Sequence, residues 1–432
     1  FVAAVGLRLA AAVIPPRAMA ASGRLSDAEL PVYSVIVALY REDRSVPQLL
    51  NALDALDYPR EKLDIILAVE ADDVATRFAI RRFGAPHLRV IVAPDVGPRT
   101  KPKALNCALP FARGSVIAVF DAEDQPDPGQ LRAAIEALRT GGSDVACAQA
   151  SLCIHNVTDS LFTRMFAAEY AGQFDKVLPG LTEMALPLPL GGTSNLFRAD
   201  ALRAVGGLDA WNVTEDADLG LRLARFGYRA VTFASTTREE APIRFMPWLK
   251  QRSRWMKGWM QTWSVHMRAP IRFWRETGWR GLITLNLIIG ANIMGALAYP
   301  VFLLAIALET ARGGDWILDG LLTPLHFAAL AGSLLAAVVI GLCGLARRKR
   351  LDVGWIMLLT PVYWACLSLA TWRALWQLLR EPYRWEKTEH GLTTQPARRI
   401  ARHRNRFRSA AASSGVRFRL NGAMNLPLRS IR

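Results

Sequence analysis

Two apolar runs, at 282–308 and 321–346, are each long enough to cross a bilayer as helices, which takes about 20 residues. They exclude a wholly soluble globule. They also divide the chain into a polar-patterned segment before about residue 245 and an apolar one after it. Arg347-Arg348-Lys349-Arg350 follows the second run, and a basic cluster of that kind marks a cytoplasmic end. The loop between the runs sets Glu309, Asp315 and Asp319 against Arg312 and is not strongly basic. A third apolar run, 353–379, raises a parity problem. A single crossing there would place Arg398, Arg399, Arg402, Arg404, Arg406 and Arg408 on the outer side, against the positive-inside rule. Pro361 permits a break, so the expectation is a re-entrant or interfacial arrangement that returns the tail to the cytoplasm, or else an extra crossing. The formal net charge of +16 with 52% hydrophobic residues suits a multi-pass inner-membrane protein with basic cytoplasmic faces that touch anionic lipid. A nucleic-acid binder of that charge would not carry such spans, so no nucleic-acid partner is expected. Residues 1–14 are apolar but too short to span and read as the end of a membrane helix. The five cysteines form no C-x-x-C pair, which speaks against a zinc site or disulfide framework and for a reduced compartment.

Ahead of the apolar half, periodicity alternates strand and helix. Runs at 33–40, 63–69, 88–93 and 115–120 are apolar and β-branched, as buried strands are. Residues 48–56 and 75–83 have helical spacing between them. This is the rhythm of a parallel α/β sheet, whose ligands sit at the carboxyl ends of the strands. Acidic clusters fall at such ends: Glu70-Ala-Asp-Asp73 and Asp121-Ala-Glu123-Asp124. Divalent Mg²⁺ or Mn²⁺ takes one or two hard carboxylates plus phosphate oxygens, which Asp121 and Glu123 supply, with Asp124 a further candidate. Val213-Thr-Glu-Asp-Ala-Asp218 opens a helix, with Thr214 a plausible N-cap and acids in the first turn. The joint between the halves, 245–263, mixes Trp248, Trp255, Trp259 and Trp263 with Lys250, Arg252, Arg254 and Lys257. Trp255, Trp259 and Trp263 share a helical face, and aromatics with basic residues fit a helix lying at a membrane surface.

Gln251-x-x-Arg254-Trp255 resembles the Q-x-x-R-W signature of processive family 2 glycosyltransferases, the cellulose, chitin and hyaluronan synthases. Upstream, in order, Tyr40-Arg-Glu42 resembles the turn that cups the base. Glu70 and Asp73 lie where the family has its first acidic motif, although D-D-G-x-x-D is replaced here by Glu70-Ala-Asp-Asp-Val-Ala-Thr. The segment ending Lys103-Ala-Leu-Asn106 resembles K-A-x-N, and Asp121-x-Glu123 resembles D-x-D. The Gly191-Gly192-Thr193 loop resembles the one under the acceptor sugar, and Thr214-Glu215-Asp216 resembles T-E-D. Trp385-Glu-Lys-Thr388-Glu-His-Gly391 resembles, more loosely, a gating loop.

The resemblance covers roughly residues 31–265. It implies an α/β GT-A type nucleotide-sugar-binding domain followed by interfacial and transmembrane helices. The boundaries expected are 1–30 for the end of a membrane helix and linker, 31–244 for the catalytic domain and 245–280 for interfacial helices. Residues 281–380 would form the transmembrane region and 381–432 the gating-like loop and basic tail. Asp216 would be the catalytic base. Asp121 and Glu123 would hold Mg²⁺ or Mn²⁺. Tyr40, Glu42, Glu70, Asp73, Lys103, Thr193, Glu215, Gln251, Arg252, Arg254, Trp255 and Thr388 would contact substrate. The activity implied is inverting transfer from a nucleotide sugar, expected to be UDP-linked, to a growing β-linked polysaccharide, with help in its export and with export or accessory subunits as further partners. Alternatives are a single transfer to a lipid acceptor, and a membrane receptor or scaffold that keeps the fold without catalysis.

Overall fold

The computed structural model describes residues 1–16, 25–311, 322–383 and 386. Eight strands form one sheet: β1 (Tyr33–Leu39), β2 (Leu63–Glu70), β3 (Leu88–Ala93), β4 (Val116–Phe120), β5 (Gln125–Pro126), β6 (Val145–Ile154), β7 (Asn195–Arg198) and β8 (Arg229–Glu239). Their order is β3-β2-β1-β4-β7-β6-β8-β5. The first four positions run parallel, β7 is antiparallel to both its neighbours, and β8 is parallel to β6. The four anticipated strands are present within a residue of their expected ends. β1 shows why they read as unbroken apolar runs. Tyr33, Val35, Val37 and Leu39 enter one core and Ile36 the other, so both faces are covered.

The helices are α1 (Val2–Val13), α2 (Val46–Asp54), α3 (Val74–Phe83), α4 (Lys101–Ala108), α5 (Gln130–Thr140), α6 (Leu161–Gly172), α7 (Leu178–Glu183), α8 (Ala199–Ala204), α9 (Glu215–Arg225), α10 (Phe245–Met267), α11 (Pro270–Ile283), α12 (Ala291–Ala311), α13 (Leu322–Arg347) and α14 (Thr360–Arg380). α2 begins two residues earlier than the apolar spacing suggests, because Pro47 suits a first turn. Thr214 occupies the N-cap of α9, but its hydroxyl does not cap the helix.

Stretches 270–305, 328–347 and 351–380 are long and apolar enough to cross a membrane. The third, however, has both ends on the catalytic half. It opens as a 3-10 turn, Leu351–Leu359, whose Val353, Ile356 and Met357 pack with Phe166 and Ala167 of α6. Pro361 sits in the first turn of α14, which accounts for the break. The Tyr363 hydroxyl, near that start, donates to Glu169 at 2.9 Å. At the other end, Gln261 Nε2 of α10 donates to the Pro382 carbonyl at 3.0 Å, and Tyr383 packs on Trp211, centroids 5.0 Å apart. α14 thus runs beside α10 in the same direction, from Trp248 to Gln261. α13 is tied to the sheet by Arg348, whose guanidinium bonds Asp175 at 2.5 and 3.0 Å and the Leu152 carbonyl at 2.8 Å.

The Trp row of α10 is not a continuous lipid-facing stripe: of Trp255, Trp259 and Trp263 only Trp263 is exposed. Trp248 is fully buried, Trp255 turns toward the catalytic half, and Trp259 packs with Phe273, Leu285 and Ile289. Exposed apolar surface comes instead from Trp274 and Trp279 on α11, Trp355 and Leu358, and the α14 row Val362, Leu369, Trp372, Trp376 and Leu379.

Candidate active site

The carboxyl ends of β1, β2, β4, β6 and β8 lie along one edge of the sheet, and α9 and α10 close the cleft above them. Tyr40 and Glu42, directly after β1, line it. Arg41 adopts φ 55° there, its backbone N–H donating to Asp73 Oδ2 at 2.5 Å and its guanidinium lying 5.0 Å from the Tyr40 ring centroid. Glu70, the last residue of β2, also lines the cleft. Its Oε2 takes a 2.8 Å bond from Lys103 Nζ, while Oε1 is buried with no partner among the described residues.

Two expected contacts turn away. Asp73 caps α3, accepting from Thr76 N at 3.1 Å. Lys103 is buried between Glu70 and the Pro94 carbonyl, and Lys101, one helical step earlier, is the lysine that enters the cleft. Lys101 Nζ lies 2.5 Å from Asp121 Oδ1 and from the Gly192 carbonyl. Sequence alone could not choose between two lysines two residues apart at a helix start.

Asp121 and Glu123 follow β4 and line the cleft. Asp124 is buried beneath them. It accepts from Asp121 N at 2.7 Å and from the Thr193 hydroxyl, and burial with the nearby acids holds its carboxyl well above the usual range. Its role is to shape the turn, while Thr193 is held by a pinned loop. Buried Gln149 donates to the Thr193 carbonyl at 3.1 Å and accepts from Gly191 N at 2.8 Å. Gly192 passes close to the acid of α9: a Cβ there would lie 3.3 Å from Asp216 Oδ2.

Glu215 and Asp216 open α9. Asp216 Oδ1 accepts from Ala217 N at 2.8 Å, and burial raises its pKa. Glu215 is pushed up to about 7 by burial and then by Asp216, with Lys101 and Arg254 opposing. Gln251, Arg254 and Trp255 of α10 form the facing wall. They are brought close by Gly258, where a Cβ would lie 2.2 Å from Thr214 Oγ1.

Arg252, expected to face the diphosphate, does not line the cleft. It is buried in a two-bond pair with Glu169, 4.3 Å from the Phe166 ring centroid and 4.8 Å from that of Trp255. Positions two apart on a helix point about 160° away from each other, so Arg252 and Arg254 face different surroundings. Thr388 lies outside the described residues.

Residues that motif reading did not single out also line the cleft: Arg99, Tyr170, Glu239 and Glu240. The only signal in the sequence was an acid pair at a strand end ahead of α10.

No cluster of three or more His, Cys, Asp or Glu fit to hold a metal occurs among the described residues. A dedicated protein cage is therefore not what the cleft offers. The residues do fit a cation shared with phosphate. Asp121 and Glu123 are hard oxygen donors on one wall, and after burial their charge is the next cause that raises the pKa of neighbouring Glu239.

The family model described as "Glycosyltransferase like family 2" matches residues 31–258, just over half the chain. The probable glycosyltransferase YdaM of Bacillus subtilis is 26% identical over 234 residues, covering 53% of this chain and 56% of that protein. A beta-monoglucosyldiacylglycerol synthase of Trichormus variabilis is 25% identical over 238 residues, covering 53% and 49%. A probable glucomannan 4-beta-mannosyltransferase of Arabidopsis thaliana is 27% identical over 239 residues, covering 53% and 43%. The chain spans about half the length of the curated relatives it matches. Among solved structures, a mannosyltransferase from Pyrobaculum calidifontis in complex with GDP-Man and Mn²⁺ superposes with TM-score 0.55 at 20% identity, covering 88% of this chain and 98% of that one, and shares its fold. With a GT-A-like mixed sheet, helices after it and a family match across the whole cleft, the chain belongs to glycosyltransferase family 2.

Proposed function

We propose that this protein is a metal-dependent, inverting glycosyltransferase that moves one hexose from a nucleoside diphosphate sugar to a hydroxyl of a membrane-anchored acceptor. The observation that carries this is convergence. Lys101, Asp121 and Glu123 on the sheet edge face Asp216, Gln251, Arg254 and Trp255 from α9 and α10 across one cleft. Tyr40 and Glu42 form the end suited to the base, and Glu70, braced by Lys103, the ribose side. Asp121 and Glu123 would hold Mg²⁺ or Mn²⁺, which supplies Lewis-acid neutralisation of the diphosphate. Lys101 and Arg254 add fixed positive charge where the leaving group gains negative charge. Asp216 is the general base, taking the acceptor proton as the oxygen attacks the anomeric carbon from the face opposite the diphosphate. Glu215 stays beside it as a second acid, and Trp255 offers a flat apolar wall to the acceptor.

A single transfer is favoured over chain growth by what lies behind Trp255. Phe166, Trp248, Met165, Leu345, Ile356, Met357 and Tyr363 pack there as one core, closed by the Arg252–Glu169 pair. This packed core, rather than an open path beyond the acceptor, is what supports a single transfer. The exposed Trp and Leu rows of α11 and α14 would seat the cleft at the membrane surface, with α12 and α13 crossing and α14 lying in the interface. A polysaccharide synthase remains the second reading, on the strength of Gln251, Arg254 and Trp255. The test is product analysis with labelled UDP- and GDP-sugars and extracted membrane lipids: one sugar per lipid supports the first reading, a ladder the second.

A further inference from the structure

Glu239, the last residue of β8, faces the cleft, and the family motifs leave it without a role. β8 pairs in parallel with β6 and its end sits opposite Ile154. The Glu239 carboxyl therefore emerges at the same sheet edge as Asp121, on the side where Tyr170 and Trp255 stand. Its environment is specific. Tyr170 lines the same corner of the cleft, and the carboxyl's Oε1 is buried with no partner among the described residues. Tyr170 in turn lies nearly parallel to Trp255, interplanar 13° and centroids 6.5 Å apart. The charged groups around it are Glu123, Asp121 and Lys101; burial first, then the two acids, push the carboxyl up to about 8, with Lys101 opposing. A buried oxygen left unbonded costs folding free energy. In a cleft read as a sugar-transfer site, that oxygen is suited to accept from a substrate hydroxyl.

We propose that Glu239 binds the acceptor, taking a hydrogen bond from a hydroxyl other than the one glycosylated, and that the acceptor's end group is therefore a sugar ring rather than a simple alcohol. The proposal rests on the reading of the cleft as a glycosyltransferase site. A sugar ring presents both features this corner can recognise: an apolar C–H face for Trp255 and a neighbouring hydroxyl for Glu239. A diacylglycerol offers one hydroxyl, which the transfer consumes. Tyr170, at the same corner, is a positioning residue. Asp216 remains the base.

The experiment uses the full chain in lipid nanodiscs with Mn²⁺ and the donor that supports transfer. It compares a lipid bearing one hexose headgroup with diacylglycerol as acceptors, in wild type, E239A, E239Q and Y170F. Wild type should prefer the hexose-headed lipid. E239A should raise KM for that lipid about 10-fold or more, E239Q less because its amide oxygen still accepts, and Y170F by a few-fold. kcat, the UDP-induced rise in thermal midpoint and the Mn²⁺ concentration for half activity should stay near wild type. The variants should fold, since E239A removes a buried acid from among acids, and Y170F keeps the ring and tests the same corner independently. Unchanged acceptor KM in E239A and Y170F overturns the proposal. So does wild-type preference for diacylglycerol, and so does a shift in Mn²⁺ dependence, which would make Glu239 a metal ligand. If wild type transfers no sugar to any acceptor, the glycosyltransferase reading itself fails. Transfer by wild type with wild-type behaviour of E239A defeats only the present inference.

Discussion

At the scale of single residues the cleft is organised by acids kept close together without full compensation. The fold tolerates this where substrate brings the balancing groups. Asp216→Asn should lower turnover about 10²–10⁴-fold while UDP still raises the thermal midpoint, because the base acts on the acceptor oxygen and not on the nucleotide. Comparable turnover in the variant would remove Asp216 from that role. The acids also set a pH dependence. Glu215 sits at about 7 and Glu239 at about 8, each raised from 4.5 by burial first. A carboxyl raised in the folded state binds more protons folded than unfolded above pH 4.5. Its stabilising contribution is therefore whole below about pH 4.5 and is lost as pH rises through 7 to 8. The ligand-free protein should melt at a lower temperature at pH 8.5 than at pH 5.5, and E239Q should flatten that slope. A midpoint that climbs over the same window would contradict the arrangement. Turnover, which needs Asp216 ionised, should run the other way and fall toward acid pH.

At the scale of elements, what could be read from the chain was whatever a local pattern dictates. The unbroken apolar runs of β1, β2 and β4 announce two-faced burial, and Glu70 and Asp121 fall at strand ends because the runs stop there. Side-chain direction was not legible. It hid the exchange of Lys101 for Lys103 and the turning inward of Arg252, since both depend on how α4 and α10 are rotated against their neighbours. The antiparallel β7 and the placing of β8 beside β6 come from pairings between residues far apart in sequence, and with them came Glu239. Arg252 tests the correction. Removing it leaves Glu169 beside a buried aromatic cluster, and with Glu169 half-exposed the cost should be about 2 kcal/mol of stability. Arg252→Met should thus lower the thermal midpoint by several degrees while the folded fraction keeps wild-type UDP affinity. A large loss of UDP affinity without loss of stability would return Arg252 to the diphosphate. Gly258→Val should be worse for function than for folding, because the added atoms push α10 off Thr214 and so part Arg254 and Trp255 from Asp216.

At the scale of the whole molecule, the proposed single transfer makes the apolar half a platform more than a conduit. Two helices leave and return, the second is clamped to the sheet by Arg348, and α14 comes back along α10 to finish against Gln261 and Trp211. Under the proposed seating the third apolar run need not cross, since both ends of α14 contact the catalytic half. In sealed inside-out vesicles, a cysteine placed at Tyr383 and one placed at Asp54, on the catalytic surface, should both react with a membrane-impermeant maleimide; protection of Tyr383→Cys alone would mean that α14 crosses. The central claim is that this cleft transfers a hexose from a nucleoside diphosphate sugar with Asp216 as base and a divalent cation on Asp121 and Glu123. The most direct measurement is release of nucleoside diphosphate and labelling of lipid by the purified protein, offered labelled UDP- and GDP-sugars with extracted membrane lipids. The expected result is stoichiometric nucleotide release and a one-sugar lipid product, both abolished by EDTA, restored by Mn²⁺ and absent in Asp216→Asn. Full transfer in EDTA, or undiminished transfer by Asp216→Asn, would contradict it.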